Sequence, residues 1–225
     1  MLEHDEHIVK EVIREEMDML DASLEFLYGV EEPSQLTKRQ IKGLQKRKDN
    51  LKSKIESRLD RKTDNYTFEK LGVDHLFIDE SHEFKNLSFT TSHSNVAGLG
   101  SPSGNEKTSA MLMGVRALQK MHQGDKGTTF SSGTPISNSM VELYLILRYL
   151  RPNKLKELGI DTFDGWASVF AERSNEIEFS VTGQLKSKDR FRTFTNVPEL
   201  SSMYAEIADV RNDDNLKLTK PKANI

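Results

Sequence analysis

The chain has 225 residues, 36% of them hydrophobic and 30% charged, and a net charge of −3. That length holds one large or two small domains with a real core, and the polar balance suits long exposed helices better than a compact enzyme. No run approaches the roughly 18 apolar residues of a membrane span, the N-terminus lacks a signal-peptide core, and with no cysteine there is neither a disulfide framework nor a thiolate metal site. A reducing, cytoplasmic setting without a membrane is expected.

The small net charge hides an asymmetry. Residues 1–32 carry eleven acidic side chains against Lys10 and Arg14, whereas residues 36–62 carry eleven Lys or Arg against Asp49, Glu56 and Asp60. An acidic helix beside a basic one would produce this, as would a basic arm meant for phosphates. Ile8, Val12, Ile13, Met17, Leu20, Leu24 and Leu27 recur at helical steps, so 6–28 reads as an amphipathic helix, capped near Gly29 and prevented from continuing by Pro33. A second helix is expected over 37–61, with Ile41, Leu44, Leu51, Ile55 and Leu59 as its apolar stripe. Together they form a helical hairpin that is either a solvated structural arm or a DNA contact through Lys46, Arg47 and Lys48.

Near Leu71 the pattern changes to a short apolar strand that ends in the adjacent carboxylates Asp79 and Glu80. Residues 88–109, rich in Ser, Thr, Gly and Asn without periodicity, read as a long mobile loop. Residues 110–121 read as a helix, 128–131 as a β-branched strand, and 139–149 as a buried helix stopped by Pro152. Strand, helix, strand, helix is the rhythm of an α/β parallel sheet. Beyond 156, Phe163, Trp166, Phe170, Phe179, Phe191 and Phe194 are aromatic anchors. The three- and four-residue steps of the first three mark core, not a base-stacking platform. A solvated hairpin over 186–194 and a short helix over 200–210 close the reading.

In open α/β sheets, ligands lie outside the carboxyl ends of the strands, where "FIDE" puts two carboxylates. A nucleotide hydrolase needs one to hold Mg²⁺ and the next to orient or deprotonate water. Apolar-apolar-Asp-Glu is by itself a weak signal, and a solvated strand end would look the same. The competing motifs fail on spacing. "SHEFKN" has Asn86 where a His-Glu-x-x-His zinc motif needs histidine, and Ser132-Gly133 does not complete Gly-x-Ser-x-Gly.

Two longer stretches make the signal specific. "IDESHEFKN" followed by "SSGTPISNSMVELYLILRYLRP" resembles the Swi/Snf-related branch of the superfamily-two helicase-like ATPases. Asp79, Glu80, His82, Lys85 and Asn86 match that family's Asp-Glu-Ala-His box and trailing Lys-Asn, with Ser81 for alanine. Gly133, Thr134, Pro135, Ile136, Asn138, Glu142, Leu143 and Pro152 match its Thr-Gly-Thr-Pro motif and following helix, with Ser132 for threonine and Ser137 for glutamine. The segment from "FDGWASVFAE" to "PELSSMYAEIADV" further resembles the large helicase–DNA methylase proteins of phages, plasmids and integrative elements. These resemblances imply a partial RecA-like lobe over 71–155, preceded by the 1–70 hairpin and followed by an α/β extension over 156–225. They also imply ATP and Mg²⁺ as cofactors, DNA as partner, and residue roles: Asp79 on the metal, Glu80 on the hydrolytic water, and His82 with Ser132, Gly133, Thr134, Pro135 and Asn138 coupling nucleotide state to movement. Lys85 and Asn86 join the basic helix as candidate DNA contacts.

The family's Gly-Lys-Ser/Thr phosphate loop has no counterpart in residues 1–70, and in "GLGSPSGNEKTS" Asn105 and Glu106 separate Gly104 from Lys107. No segment resembles the second lobe. The expectation is an interior piece of a first motor lobe that hydrolyses ATP negligibly alone and works with the missing parts of the same motor. The rival is a non-enzymatic accessory protein that binds DNA or a partner through the basic helix 37–62.

Overall fold

A computed structural model describes residues 4–59, 67–93, 96–97, 99, 102–136, 139–179 and 185–211. The chain is α/β, with a long helical hairpin ahead of a small parallel sheet. It divides into two compact units, residues 1–195 and 196–225.

The hairpin is α1 (Glu6–Tyr28) and α2 (Gln35–Leu59). Burial of Ile8, Val12, Ile13, Leu20, Leu24 and Leu27 follows the sequence stripe, except that Met19 is buried and Met17 only half-buried. Acidic α1 is shared between two neighbours. It faces α2 through an Asp21–Lys48 ion pair and reaches across the chain to Arg116, whose Nε lies 2.9 Å from Glu15 Oε1. Of the basic run, 60–62 lie outside the described residues.

The parallel pair follows. Strand β1 (Leu76–Ile78) pairs with β3 (Thr128–Phe130) in the register Leu76↔Thr128, Phe77↔Thr129, Ile78↔Phe130. Helix α3 (Glu106–Met121) makes the crossover between them. Strand β1 is shorter than the apolar pattern implies, because Phe68–Leu71 is a turn of 3₁₀ helix ending at left-handed Gly72. Ile78 is buried, while Phe77 on the opposite face is 80% exposed. Helix α4 (Met140–Leu150) begins one residue later than expected because Ser139 is its N-cap, accepting from the Val141 N–H at 3.2 Å. Pro152 ends α4 and at the same time opens α5 (Pro152–Glu157), where its missing N–H leaves no bond unmade. Tyr144, Phe163, Trp166 and Phe170 form the aromatic core, with Trp166 fully buried. Helix α6 (Phe163–Phe170) leads into the antiparallel pair β4 (Ala171–Phe179) and β5 (Leu185–Phe194). Strand β2 (Val96–Ala97) pairs in parallel with β5. The second unit begins with α7 (Val197–Ala205), three residues earlier than its apolar pattern implied.

Two features correct the picture of 88–109 as one mobile loop. Leu87, Ser88, Phe89 and Thr90 are all buried. Residues 105–109 belong to the start of α3: Asn105 accepts from the Thr108 N–H at 2.9 Å and the Thr108 hydroxyl stands 3.3 Å from the Asn105 N–H. This reciprocal cap satisfies two otherwise orphaned donors, and its local hydrogen bonds leave no trace in hydrophobic periodicity. The "SGNEKTS" stretch is thus a capped helix start, and Gly104 owes its identity to packing. Its φ is +64°, and a Cβ there would lie 2.5 Å from the Ser88 backbone nitrogen. Gly104→Ala should therefore lower stability by about 2–3 kcal/mol, combining left-handed strain with overpacking. The shift of the urea midpoint measures it, and an unchanged midpoint would refute the close approach.

Candidate functional site

The two motifs meet because they terminate neighbouring parallel strands. With Ile78 opposite Phe130, the next residues emerge side by side. Ser131 N–H donates to the Ile78 carbonyl at 2.8 Å, and Ser81 N–H donates to the Ser131 carbonyl at 2.9 Å. Asp79 Oδ1 accepts from its neighbour's backbone, Glu80 N–H, at 3.0 Å and from the Ser131 hydroxyl at 3.1 Å. Both carboxylates are exposed at the strand's carboxyl end.

Glu80 sits at φ 51°, ψ 46°, in the left-handed region. For a residue with a Cβ this costs about 1–2 kcal/mol, and its effect here is directional. The chain turns out of β1 between the two carboxylates, so Asp79 is held against β3 while Glu80 swings to His82. A 3₁₀ turn, Ser81–Phe84, then carries the histidine back beneath them. His82 Nδ1 lies 3.0 Å from Glu80 Oε2 and 3.2 Å from Ser132 Oγ. One ring nitrogen thus faces both motifs. Protonated, it donates to the Glu80 carboxylate; bare, it accepts from the Ser132 hydroxyl. It cannot do both fully, so the tautomer decides which motif the ring supports. The Ser132 hydroxyl oxygen also accepts from the Thr134 N–H at 3.2 Å, which folds Gly133 into a tight exposed turn with Pro135 half-buried beyond it. Asn138 lies outside the described residues.

Lys85 and Asn86 are placed by packing. Lys85 Nζ is 3.2 Å from Glu142 Oε1, and Glu142 is buried on α4. The two motifs are therefore joined a second time, below the carboxylates. The Asn86 carbonyl accepts from the Thr108 hydroxyl at 3.1 Å, while the residue itself is exposed. Lys107 stands 3.1 Å from Glu83, holding its carboxyl below the ordinary range, and also lies 4.7 Å over the Phe84 ring.

The run Lys46-Arg47-Lys48 does not act as a patch. Successive helical residues point about 100° apart. Lys46 is exposed, Arg47 donates to the Phe89 carbonyl at 2.8 Å, and Lys48 pairs with Asp21. Burial lowers the Arg47 pKa, with Glu16 opposing that effect and Arg148 adding to it.

Sequence reasoning missed Ser131, although the parallel register of two strand ends predicts that it faces Asp79. It also missed the clamp on residues 88–92. There Ser88 donates from its hydroxyl to Glu16, Arg148 donates to the Ser88 carbonyl, and Gln40 donates to the Ser92 carbonyl. Asp164 accepts from the Thr91 hydroxyl and the Ser92 N–H. No local pattern announces contacts between residues this far apart in sequence.

Asp79 suits Mg²⁺. It is a hard oxygen ligand, fixed at Oδ1 and exposed to water, and Mg²⁺ keeps several waters and takes only one or two carboxylates from a protein. Such a site needs no protein cage, and among the described residues no group of three or more His, Cys, Asp or Glu side chains is gathered to form one. Also among the described residues, no helix is long and apolar enough to cross a membrane.

At the end of one parallel strand, the paired carboxylates are thus tied to a Ser-Gly-Thr-Pro turn on the next. The family model described as "Probable helicase domain" matches residues 1–212, and the chain belongs to that family. Among curated proteins it is similar to Defense against restriction protein B of Escherichia phage P1, at 24% identity over 156 residues. The match covers 68% of this chain and 7% of the phage protein, so this chain corresponds to a small part of that relative's length. No solved structure matches it significantly.

Proposed function

We propose that this chain forms part of the first motor lobe of a Swi/Snf-related superfamily-two ATPase that acts on DNA. The observation that carries the reading is the convergence of Asp79 and Glu80 with Ser131 and Ser132 at the ends of β1 and β3, bridged by His82. A bland strand end has no need of a left-handed glutamate or of a histidine shared between two motifs. Exposed Phe77 also supports it, since parallel sheets are covered on both faces in complete domains.

Bound Mg²⁺–ATP would supply the γ-phosphate and the metal's positive charge. Asp79 is the carboxylate that would hold the metal, kept in place through Oδ1 by Ser131. Glu80, mostly exposed and anchored at Oε2 by His82, has Oε1 left to orient water and take its proton. His82 reports the state of Glu80 to the Ser132–Pro135 turn. Lys85–Glu142 keeps the two motifs at fixed separation.

The phosphate-holding Gly-Lys-Ser/Thr loop would come from another part of a longer protein. The expected result is negligible Mg²⁺–ATP hydrolysis by the 225-residue chain and DNA-stimulated hydrolysis by a longer protein that includes such a loop. A robust rate from the chain alone would overturn this division of labour. Failure of the longer protein to turn over ATP, with or without DNA, would overturn the motor assignment.

A further inference from the structure

The geometry points to one face of α2, carrying Lys38, Arg39, Lys42 and Lys46, as a contact surface for the phosphate backbone of duplex DNA. The inference rests on the nucleic-acid reading above and locates the contact away from the Asp-Glu site.

Helix α2 is committed on two of its sides. One side, which Ile41 shares at seven-residue spacing, carries Lys48 toward α1, where it pairs with Asp21. The next carries Gln40 and Arg47 onto residues 89–92, through the Ser92 and Phe89 carbonyls. Within what remains, an arc of about 100° at 3.6 residues per turn contains Lys38, Lys42, Lys46 and Arg39. All four are exposed, and among the described residues none has an ion-pair partner. Lys38, Lys42 and Lys46 follow one another at four-residue steps, so their attachment points rise about 6 Å apart along the axis. One exposed carboxylate, Asp49, falls inside the same arc, one turn beyond Lys46 at the C-terminal end of the row.

A helix anchored on two sides presents its third face rigidly, which is what a row of point charges needs to meet a regular row of phosphates. The choice of duplex follows from what the helix lacks. Single-strand sites combine positive charge with aromatic side chains on which bases stack, and Gln35–Leu59 contains no aromatic residue. Lysine as a point charge suits backbone contact without base readout. The segment held by Gln40 and Arg47 begins five residues beyond the 3₁₀ turn that carries His82, so DNA on this face would lie one helix thickness from the chain leading out of the carboxylate site.

The test is fluorescence anisotropy of the 225-residue chain with a labelled duplex of mixed sequence, titrated across salt concentrations. Four phosphate contacts predict a slope of log K against log salt of roughly −3.6, and Lys38→Gln, Lys42→Gln, Lys46→Gln together should reduce its magnitude by about three. Replacement of Lys126 and Lys156, exposed lysines elsewhere, should leave it unchanged, and circular dichroism should show the same helix content throughout. Duplex binding that survives the triple replacement overturns this surface but leaves the nucleic-acid reading intact. A preference for single strands that ignores the replacement also overturns it. Absence of any DNA binding at low salt overturns this surface and, in this chain, the reading beneath it.

Discussion

Glu80→Gln, made in a longer protein that contains this segment and its phosphate loop, is expected to lower ATP turnover by about 10²–10⁴-fold, the range typical of a lost general base. Nucleotide affinity should be nearly unchanged. The reasoning is geometric. Gln is isosteric, keeps an amide oxygen that can still accept from His82 Nδ1, and sits at an exposed position where no packing is lost. What disappears is the capacity to take a proton, so the loss should fall on turnover and not on binding. Asp79→Asn is the contrasting variant, because it removes the charge that would hold the metal and should weaken Mg²⁺-dependent binding as well. Steady-state hydrolysis beside equilibrium nucleotide binding separates the two. Turnover within about tenfold of the parent in Glu80→Gln would remove Glu80 from the chemistry.

Glu15→Ala should be the most damaging single change to the fold, at about 3–5 kcal/mol. Arg116 is 5% exposed, and its guanidinium is held by Glu15 through contacts of 2.9, 3.1 and 3.2 Å. Its other acceptors, the Gln119 side chain and the Tyr149 and Arg148 carbonyls, are neutral. Removing Glu15 leaves a buried cation without a counter-charge, whereas replacing both partners with apolar residues of similar size should recover much of the loss. The outer pair Glu11–Lys120, at 3.0 Å but about two-fifths exposed on each side, is the control and should cost under about 1 kcal/mol. Denaturant unfolding of the three variants decides the point. Equal losses at Glu15 and Glu11 would mean that α1 is not fastened to α3 through the buried pair.

The role of Glu80 follows from the motif in the sequence, whereas the Glu15–Arg116 pair joins residues 101 apart that no local pattern could specify. The two long helices were legible because three- and four-residue apolar steps report a buried face directly. The order of the Asp-Glu and Gly-Thr-Pro motifs, each at the end of a short apolar run, was legible because parallel strands bring their carboxyl ends to one edge. The aromatic steps at Phe163, Trp166 and Phe170 identified core correctly for the same reason. The start of α3 was misplaced because a capping box rests on local hydrogen bonds and not on periodicity. The stretch 88–109 differs from the loop its sequence implies because Ser88 and Thr90 are polar yet buried, with Ser88 satisfied by Glu16 and Arg148 and the neighbouring Phe89 carbonyl by Arg47, all from distant helices.

The sequence by itself determined which residue types stand where: a charged hairpin, two motifs in order, two adjacent carboxylates. Only the tertiary structure decided their partners. It put Glu80 into a left-handed turn, set His82 between two motifs fifty residues apart, and turned Lys46, Arg47 and Lys48 in three directions. Periodicity records how much of a side chain is buried, whereas an ion pair or shared hydrogen bond depends on distances set only when remote segments close on one another.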